Sequence, residues 1–427
     1  MKTKRISTSV LCLLLAGIML LFCTSCAMQI SAAELSKDYE RKATETGEIS
    51  EAFKTAMADF SMTLFKGILT KDGENDLVSP LSAVICLAMI ANGADGETKA
   101  QMEAAFGMDV DTLNRSLYAY TSSLYRAKDC KLNLADSIWF RDEENRLHVN
   151  ESFLQANADW YDAQIYAAPF DQSTLKDINT WCKQHTDGMI EKMIDKIDAN
   201  TVMYLINALT FDAKWAIKYE KKDVGDGHFT NYDGTQKTVQ MLSSEERIYF
   251  ATDGVKGFAK NYAGDRYSIV ALLPDQGTDI YDYIGTLDGA GWMNLWNSRE
   301  SASVKVKMPE FTYSVSMKLN DTLKTMGMTD MFGDSADFSK LGYSERGNIY
   351  CSEVCQKVFI QVDRNGTKAA AITWGGMNDK AAIEARSVIL DRPFVYAIVD
   401  NATGKPYLKP SEIINRDGVK IAILGMI

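Results

Sequence analysis

Apolar residues recur at helical spacing in the first third of the chain and at strand spacing further on. Phe53, Met57, Phe60, Leu64 and Ile68 are three or four residues apart, which is typical of one buried face of a helix. Further helices are predicted at 150–163 and 173–194. Strands, rich in apolar residues or alternating between apolar and polar ones, are predicted at 132–140, 201–211, 304–308 and 358–362.

These elements predict one α+β domain over residues 49–427. No Pro/Gly/Ser-rich linker divides this stretch, and no repeat of 20 to 50 residues is evident in it. Its strand-rich half lacks the regular alternation of strand and helix that a parallel sheet requires. A single large mixed domain is therefore expected.

The first 25 residues are predicted to be an export signal. Lys2, Lys4 and Arg5 precede an apolar run at 10–23, which is too short to span a bilayer comfortably. Small residues before Cys26 match a lipoprotein cleavage site, so Cys26 is a candidate for lipidation. An ordinary cleavage site at 31–33 (Ser-Ala-Ala) is the alternative. Residues 26–48 are polar and are predicted to be a tether, and both alternatives place the mature protein outside the cytoplasm, secreted or attached to the outer face of the cell membrane.

Charge and cysteine content narrow the range of partners. The formal net charge is −11, and removal of the first 25 residues takes away three positive charges and no negative charge, which gives −14. This balance argues against a nucleic-acid partner, because binding phosphates needs clustered Lys and Arg. Outside the signal region five cysteines are scattered along the chain, which is a poor disulfide framework, so buried thiols are expected.

Motifs for catalysis and metal binding are missing from the sequence. Its three histidines, His148, His185 and His228, have no metal-ligand spacing, and there is no GxSxG, P-loop or GxGxxG motif. No catalytic residue, metal ligand or cofactor is therefore predicted. An extracellular hydrolase would need a nucleophile and a base that no motif supplies.

The stretch from Val362 to Pro393 has an unusual composition. It follows a predicted strand, is rich in Ala and Gly, and contains no proline before Pro393. If residues 367–378 were extended, one face would carry only small uncharged side chains as far as Met377. Such a strand fits between two existing strands over a packed core, because neither proline nor an inward charge opposes the new hydrogen bonds.

This stretch and several motifs upstream resemble the serpin family. Residues 366–373 (Gly-Thr-Lys-Ala-Ala-Ala-Ile-Thr) look like the hinge of the serpin reactive loop. Other serpin-like motifs follow in family order over residues 50–427, namely 79–82 (Ser-Pro-Leu-Ser), 93–98, Asn207-Ala208 with Trp215, 273–275, 308–311, 326–332, 336–339 and 392–394. Each is weak alone, but the ordered set is specific.

The resemblance implies a serpin fold with about nine helices, three β-sheets and an exposed reactive loop at about 366–390. It assigns two groups of residues to loop insertion. The hinge would comprise Gly366, Thr367, Ala369, Ala370, Ala371 and Thr373. The region where the sheet opens would comprise Ser79, Ser82, Asn207, Trp215 and Gln356. The chain departs from the family at Arg364 and Lys368, where Glu is usual, at Ile372, where Ala is usual, and at Gln356, where the family has His.

The mechanism that the resemblance implies is irreversible inhibition of a serine protease. The protease attacks the loop and forms an acyl-enzyme, and the freed segment then inserts into the main sheet. Counting fourteen residues from Gly366 places the scissile bond at Lys380-Ala381, which favours a trypsin-like target. The window from Met377 to Ile383 also suits elastase-like enzymes. A monomer is expected, a cysteine protease is a further candidate partner, and a non-inhibitory carrier is the alternative function.

Overall fold

The computed structural model describes residues 30–44, 49–124, 130–144, 146–199, 201–367, 386–402 and 405–407. These residues form nine α-helices and seventeen strands. The helices are α1 (Glu51–Ile68), α2 (Pro80–Ala91), α3 (Gly96–Phe106), α4 (Val110–Leu124), α5 (Glu151–Trp160), α6 (Gln172–His185), α7 (Ile280–Thr286), α8 (Gly289–Asn297) and α9 (Asn320–Thr325). No helix in these ranges is long and apolar enough to cross a membrane.

Strands from both halves of the chain form two large sheets and one small one. The first sheet, here called the main sheet, has the order β1 (Ala33–Glu34), β4 (Gln164–Ala168), β2 (Cys130–Arg141), β5 (Met203–Lys214), β13 (Glu353–Val362) and β11 (Phe311–Lys318), with β14 (Gly366–Thr367) added to β5. The second has the order β15 (Arg386–Ile389), β10 (Glu300–Pro309), β7 (Gln236–Thr252), β8 (Val255–Asn261), β9 (Tyr267–Pro274), β16 (Val395–Asp400) and β17 (Lys405–Tyr407), with β6 (Val224–Thr230) on β7. The third pairs β12 (Gly342–Ser344) with β3 (Leu147–Val149).

Two helices illustrate how the sequence produces these elements. At the start of α1 the Ser50 hydroxyl accepts a hydrogen bond from the Phe53 N–H at 3.1 Å, and the apolar positions at helical spacing are buried except for Ile68, which is half-buried. Every residue of α2 is buried. A helix that is apolar on all sides belongs in the interior, and Pro80 at its first turn begins it without the loss of a needed N–H donor.

The α+β class with nine helices is confirmed, and most predicted elements differ from the structure only at their ends. The largest difference is the helix predicted at 173–194, because α6 ends at His185. Asp187 and Gly188 adopt positive φ angles of 52° and 78°, which end a right-handed helix. The Thr186 hydroxyl then accepts a hydrogen bond from the Ile190 N–H at 2.9 Å and holds the next turn in place.

Residues 30–44, predicted to be part of a polar tether, lie against the domain. Ala33 and Glu34 form the edge strand β1, antiparallel to β4. Ile30 and Ala32 pack against one apolar cluster, and Leu35 and Tyr39 pack against another. The few apolar residues of this segment are therefore placed where the domain can bury them, which its polar composition did not indicate.

Four cysteines whose side chains the structure describes are free thiols. Cys86, Cys182 and Cys351 are buried, and Cys355 is half-buried. Burial raises the pKa of the Cys355 thiol to about 12. These groups are therefore unreactive apolar side chains near neutral pH, in agreement with the prediction of buried thiols.

Candidate functional site

The main sheet is incompletely paired between its two central strands. β5 pairs with β2 over residues 203–213, and β13 pairs with β11 over residues 355–362. Between β5 and β13, however, the parallel pairing covers only Glu353–Cys355 against Tyr204–Ile206. Beyond these residues the described parts of the two strands share no pairing, so the sheet is joined at one end and open at the other.

The chain folds back into the open end immediately after β13. Gly366 and Thr367 form β14, which pairs antiparallel with Lys214 and Ala213 at the end of β5. A tight turn makes this possible, since one Asp363 carboxylate oxygen accepts the N–H groups of Asn365 at 2.7 Å and Gly366 at 3.3 Å. Gly366 has a φ of 153°, and an added Cβ would lie 2.3 Å from the Ala213 carbonyl oxygen. Only glycine fits this approach.

Trp215 holds this turn against the end of β5. Its backbone N–H donates to the Asn365 carbonyl at 3.2 Å, and its indole N–H donates to the Asp363 carbonyl at 2.8 Å. The buried indole stacks on Tyr262 with ring centroids 4.6 Å apart. The Tyr262 hydroxyl lies 2.8 Å from the Thr367 hydroxyl, and both groups are buried. Trp215 and Thr367, both named from the sequence, are thus brought together through Tyr262.

Tyr262 could not be found from the sequence because it belongs to no local motif. It follows β8, and an isolated bridge to Trp215 brings it to the hinge. A second group of contacts lies next to the rings of Trp215 and Tyr262. Lys260, which is 2% exposed, bonds to the Glu246 carboxylate at 2.8 Å, and its ammonium lies 4.5 Å from the centroid of the Tyr219 ring. The Tyr219 N–H donates to the Arg364 carbonyl at 3.2 Å, which ties this group to the turn.

Arg364, a departure from the family pattern, has a charged partner. One Glu310 carboxylate oxygen accepts from the Arg364 N–H at 3.2 Å and lies 3.4 Å from its side-chain Nε. Glu310 follows β10 directly. The positive charge at the hinge is therefore matched by a negative charge on the neighbouring segment, and the pair is partly exposed.

Gln356, the second described departure from the family pattern, lies beside the residues through which β5 and β13 pair. Its side-chain oxygen accepts from the Ser79 N–H at 2.8 Å, and its side-chain nitrogen donates to the Ser79 carbonyl at 2.9 Å. Gln356, Ser79 and Ser82 are all at least 96% buried. Gln356 comes directly after Cys355, the last residue of β13 that pairs with β5, so it ties β13 to the start of α2. The side chain of Asn207 lies outside what the structure describes.

Other residues named from the sequence fall outside the described ranges. They are Cys26, Ala369, Ala370, Ala371, Thr373, Lys380 and Ala381. The described chain resumes at β15, which pairs parallel with β10 in the second sheet. The 18 residues 368–385 therefore connect the open end of the main sheet to the edge of the second sheet.

Comparison with known proteins agrees with this arrangement. The family model described as Serpin (serine protease inhibitor) matches residues 55–408. The leukocyte elastase inhibitor of Sus scrofa is 28% identical over 82% of this chain and 96% of its own length. Two solved structures are also similar, one in sequence and fold and the other in fold alone. The thermophilic serpin tengpin in its native state is 44% identical, with a TM-score of 0.84 over 88% of this chain and 97% of its own. Thyroxine-binding globulin in complex with thyroxine is 20% identical, with a TM-score of 0.73 over 83% of this chain and 96% of its own.

Proposed function

Because the chain belongs to the serpin family, we propose that it inhibits serine proteases irreversibly, as a substrate that traps the enzyme after one cleavage. The observation that carries this proposal is the partly joined pair of strands β5 and β13, with β14 already begun at their open end. The gap between β5 and β13 is the place that an inserted strand would occupy.

If a new strand grows from β14, the register of β14 predicts how far it extends before the sheet must open. Thr367 lies opposite Ala213, so residues 368–373 would lie opposite 212–207, where β5 has no described pairing with β13. Trp374 would come opposite Ile206, which now pairs with Cys355. Insertion would thus begin in the existing gap and then separate the three joined residue pairs, next to the Gln356 contact with Ser79. Lys380 would reach the position opposite residue 200, beyond the far end of β5.

The buried side chain of Thr367 supports the predicted inward face of the inserted strand. Thr367 is 0% exposed, and side chains alternate along a strand. Ala369, Ala371 and Thr373 would therefore face the core, and Lys368, Ala370 and Ile372 would face outward. On insertion, the departures at Lys368 and Ile372 would therefore lie on the outward face, where a charge or a larger side chain would be tolerated.

Insertion provides the free energy that trapping requires. A strand between β5 and β13 would form about ten new backbone hydrogen bonds at roughly 1 kcal/mol each, a gain on the order of 10 kcal/mol. This equals the whole folding stability of a typical domain. Applied to an acyl-enzyme, such a gain suffices to distort the oxyanion hole and stop deacylation.

The scissile bond that we propose is Lys380-Ala381, with a trypsin-like protease as the target. A lysine before the bond suits enzymes with an acidic specificity pocket. Elastase-like enzymes are the second class, because the window from Met377 to Ile383 offers four apolar residues for a small apolar pocket, namely Met377, Ala381, Ala382 and Ile383. A cysteine protease could be trapped in the same way, since its mechanism also passes through an acyl-enzyme. We also propose that the protein acts outside the cytoplasm, on the basis of the export signal predicted for residues 1–25.

The alternative is a serpin-fold carrier without inhibitory action. The likeness to thyroxine-binding globulin is a likeness of fold, and the uncharged inward face from Thr367 to Thr373 favours inhibition over this alternative. One experiment separates them. The purified domain is mixed with trypsin and with an elastase, and the products are separated in denaturant. A covalent complex and a released peptide that begins at Ala381 support inhibition, whereas cleavage by both enzymes without a complex supports the carrier.

A further inference from the structure

The N-terminal segment from Ile30 to Ser36 is bonded into the main sheet and the helix beside it. The Ser31 N–H, the Ser31 hydroxyl and the Ala32 N–H all donate to one oxygen of the Asp177 carboxylate, at 2.9, 2.7 and 2.9 Å. Leu35 and Ser36 continue the contact with Ile165 of β4, through the Leu35 N–H at 2.7 Å and the Ser36 hydroxyl at 2.9 Å.

Asp177 makes this segment a structural part of the domain. The residue lies on α6 and is only 4% exposed, and the hydrogen bonds that its carboxylate accepts in the described chain come from Ser31 and Ala32. Hydrogen bonds to an ionised carboxylate are the strong ones. Cleavage after Ala33 would remove all three donors together with half of β1 and leave a buried carboxylate without them, which is costly.

Strand register locates the point at which this segment enters the domain. Ala33 lies opposite Ala167 of β4, Ala167 opposite Phe140 of β2, and Phe140 opposite Met203 of β5. Thr367 lies opposite Ala213, ten residues further along β5. At about 3.3 Å per residue, the row of paired residues that contains Ala33 and Met203 is roughly 33 Å from the row that contains Thr367 and Ala213. Because β1 runs toward the hinge, the chain enters the sheet from the pole farthest from the hinge.

We propose that the mature chain retains Ile30 to Ala33, that export processing occurs upstream of Ile30, and that attachment of the N-terminus to a lipid surface holds the molecule by the pole opposite to the reactive loop. Attachment at Cys26 would leave four Cα steps to Ile30, which span at most about 15 Å. The domain would then stand close to the membrane with its hinge facing outward. The identity of the reactive loop rests on the function proposed above, whereas the retention of Ile30 to Ala33 does not.

The first test is the mass of the mature protein after export of the full chain from a host cell. A mature chain that contains Ile30 supports the proposal, and a mature chain that starts at Glu34 overturns it. Hydrogen exchange of the retained segment gives a second measurement. The amides of Ser31 and Ala32 should exchange slowly, and Asp177→Ala should speed their exchange at least tenfold. Lys176→Ala, the matched control at the exposed position before it, should leave exchange unchanged, and equal effects of the two variants would overturn the role of Asp177.

The second test measures which pole faces a lipid surface. The domain with Cys26→Ser and a histidine tag before Ala27 is captured on phosphatidylcholine vesicles that carry a nickel-chelating lipid. Loop cleavage by trypsin or an elastase should proceed within twofold of its rate in solution. As the control, Ile217→Cys is coupled to maleimide-lipid vesicles. Ile217 is 75% exposed and lies in the segment that holds the hinge, so this coupling should slow cleavage about tenfold or more.

Slow cleavage after N-terminal capture would overturn the assignment of the pole. The readout is cleavage and not inhibition, so the test keeps its meaning if the protein proves to be a carrier. In that case cleavage occurs without a covalent complex in solution, and the dependence on the site of attachment remains. Failure of the proposed function and failure of this inference are therefore distinguishable.

Discussion

A single charge placed on the inward face of the hinge should convert the inhibitor into a substrate. In the register set by Thr367, Ala369 would be the second residue of the new strand and would face the core. Burial of an unpaired carboxylate there costs several kcal/mol. When residue 369 enters the sheet, only residue 368 has been added before it. The backbone of residue 368 has then formed at most two new hydrogen bonds, which stabilise the inserted state by about 2 kcal/mol. The change Ala369→Asp should therefore leave a net cost of about 3 kcal/mol at the start of insertion, which slows insertion roughly 100-fold.

The assay is the number of inhibitor molecules consumed for each protease molecule inactivated, together with the yield of covalent complex on a denaturing gel. With slow insertion, deacylation is completed first, so Ala369→Asp should be cleaved with little or no complex. Ala370→Asp is the matched control, because the same carboxylate one residue later would face outward and should leave complex formation nearly unchanged. Equal behaviour of the two variants would refute the alternation inferred from Thr367.

Three further predictions concern contacts within the described structure. Gln356→Ala removes two hydrogen bonds to the buried backbone of Ser79, one at its N–H and one at its carbonyl, which keeps the bond from the Ala83 N–H, so the free energy of unfolding in urea should fall by about 1–3 kcal/mol. Arg364→Glu places two negative charges together at Glu310, a partly exposed position, so unfolding should become easier by no more than about 1 kcal/mol. Burial raises the pKa of Asp76 to about 6, so stability should fall as the pH rises from about 4 to about 6, because the native state holds a proton that the unfolded state has released. Thermal unfolding across this pH range measures the last effect.

Each of these predictions has a control. Gln361→Ala, at a half-buried position on the same strand as Gln356, should cost less than Gln356→Ala. The double change Arg364→Glu with Glu310→Arg should restore stability, and failure to do so would show that the two charges do not interact. Asp76→Asn should remove the pH-dependent component, whereas Asp72→Asn, at an exposed position, should keep it. If Asp76→Asn leaves the profile unchanged, the buried carboxylate is not its source.

The fold class and the kind of site could be predicted from the sequence because both depend on local patterns. Helical spacing found α1, and alternation found the core of β10 and β13. The small side chains after Gly366 indicated a strand that could be inserted, since that property depends only on which residue types occur at every second position. The close approach of Gly366 to β5 agrees with its place at the start of this segment.

The contacts around the hinge could not be predicted, because the residues involved are distant in sequence. Tyr262 reaches Thr367 from 105 positions away. Glu310 neutralises Arg364 from 54 positions away. Neither residue lies in a pattern that marks it, since only the pairing of strands brings it to the turn. Arg364 departs from the family pattern, and its positive charge is explained only by the tertiary structure, which places Glu310 beside it.

The sequence by itself determined most of the secondary structure, the family resemblance and the small uncharged side chains at alternate positions of residues 367–375, because hydrophobic period and side-chain size are properties of neighbouring residues. The tertiary structure decided which strands are joined, how long the gap between β5 and β13 is, and at which end of the main sheet the N-terminal segment lies. These are matters of register between strands up to hundreds of residues apart. No local pattern specifies that register, because it is set by the packing of the whole sheet against its core.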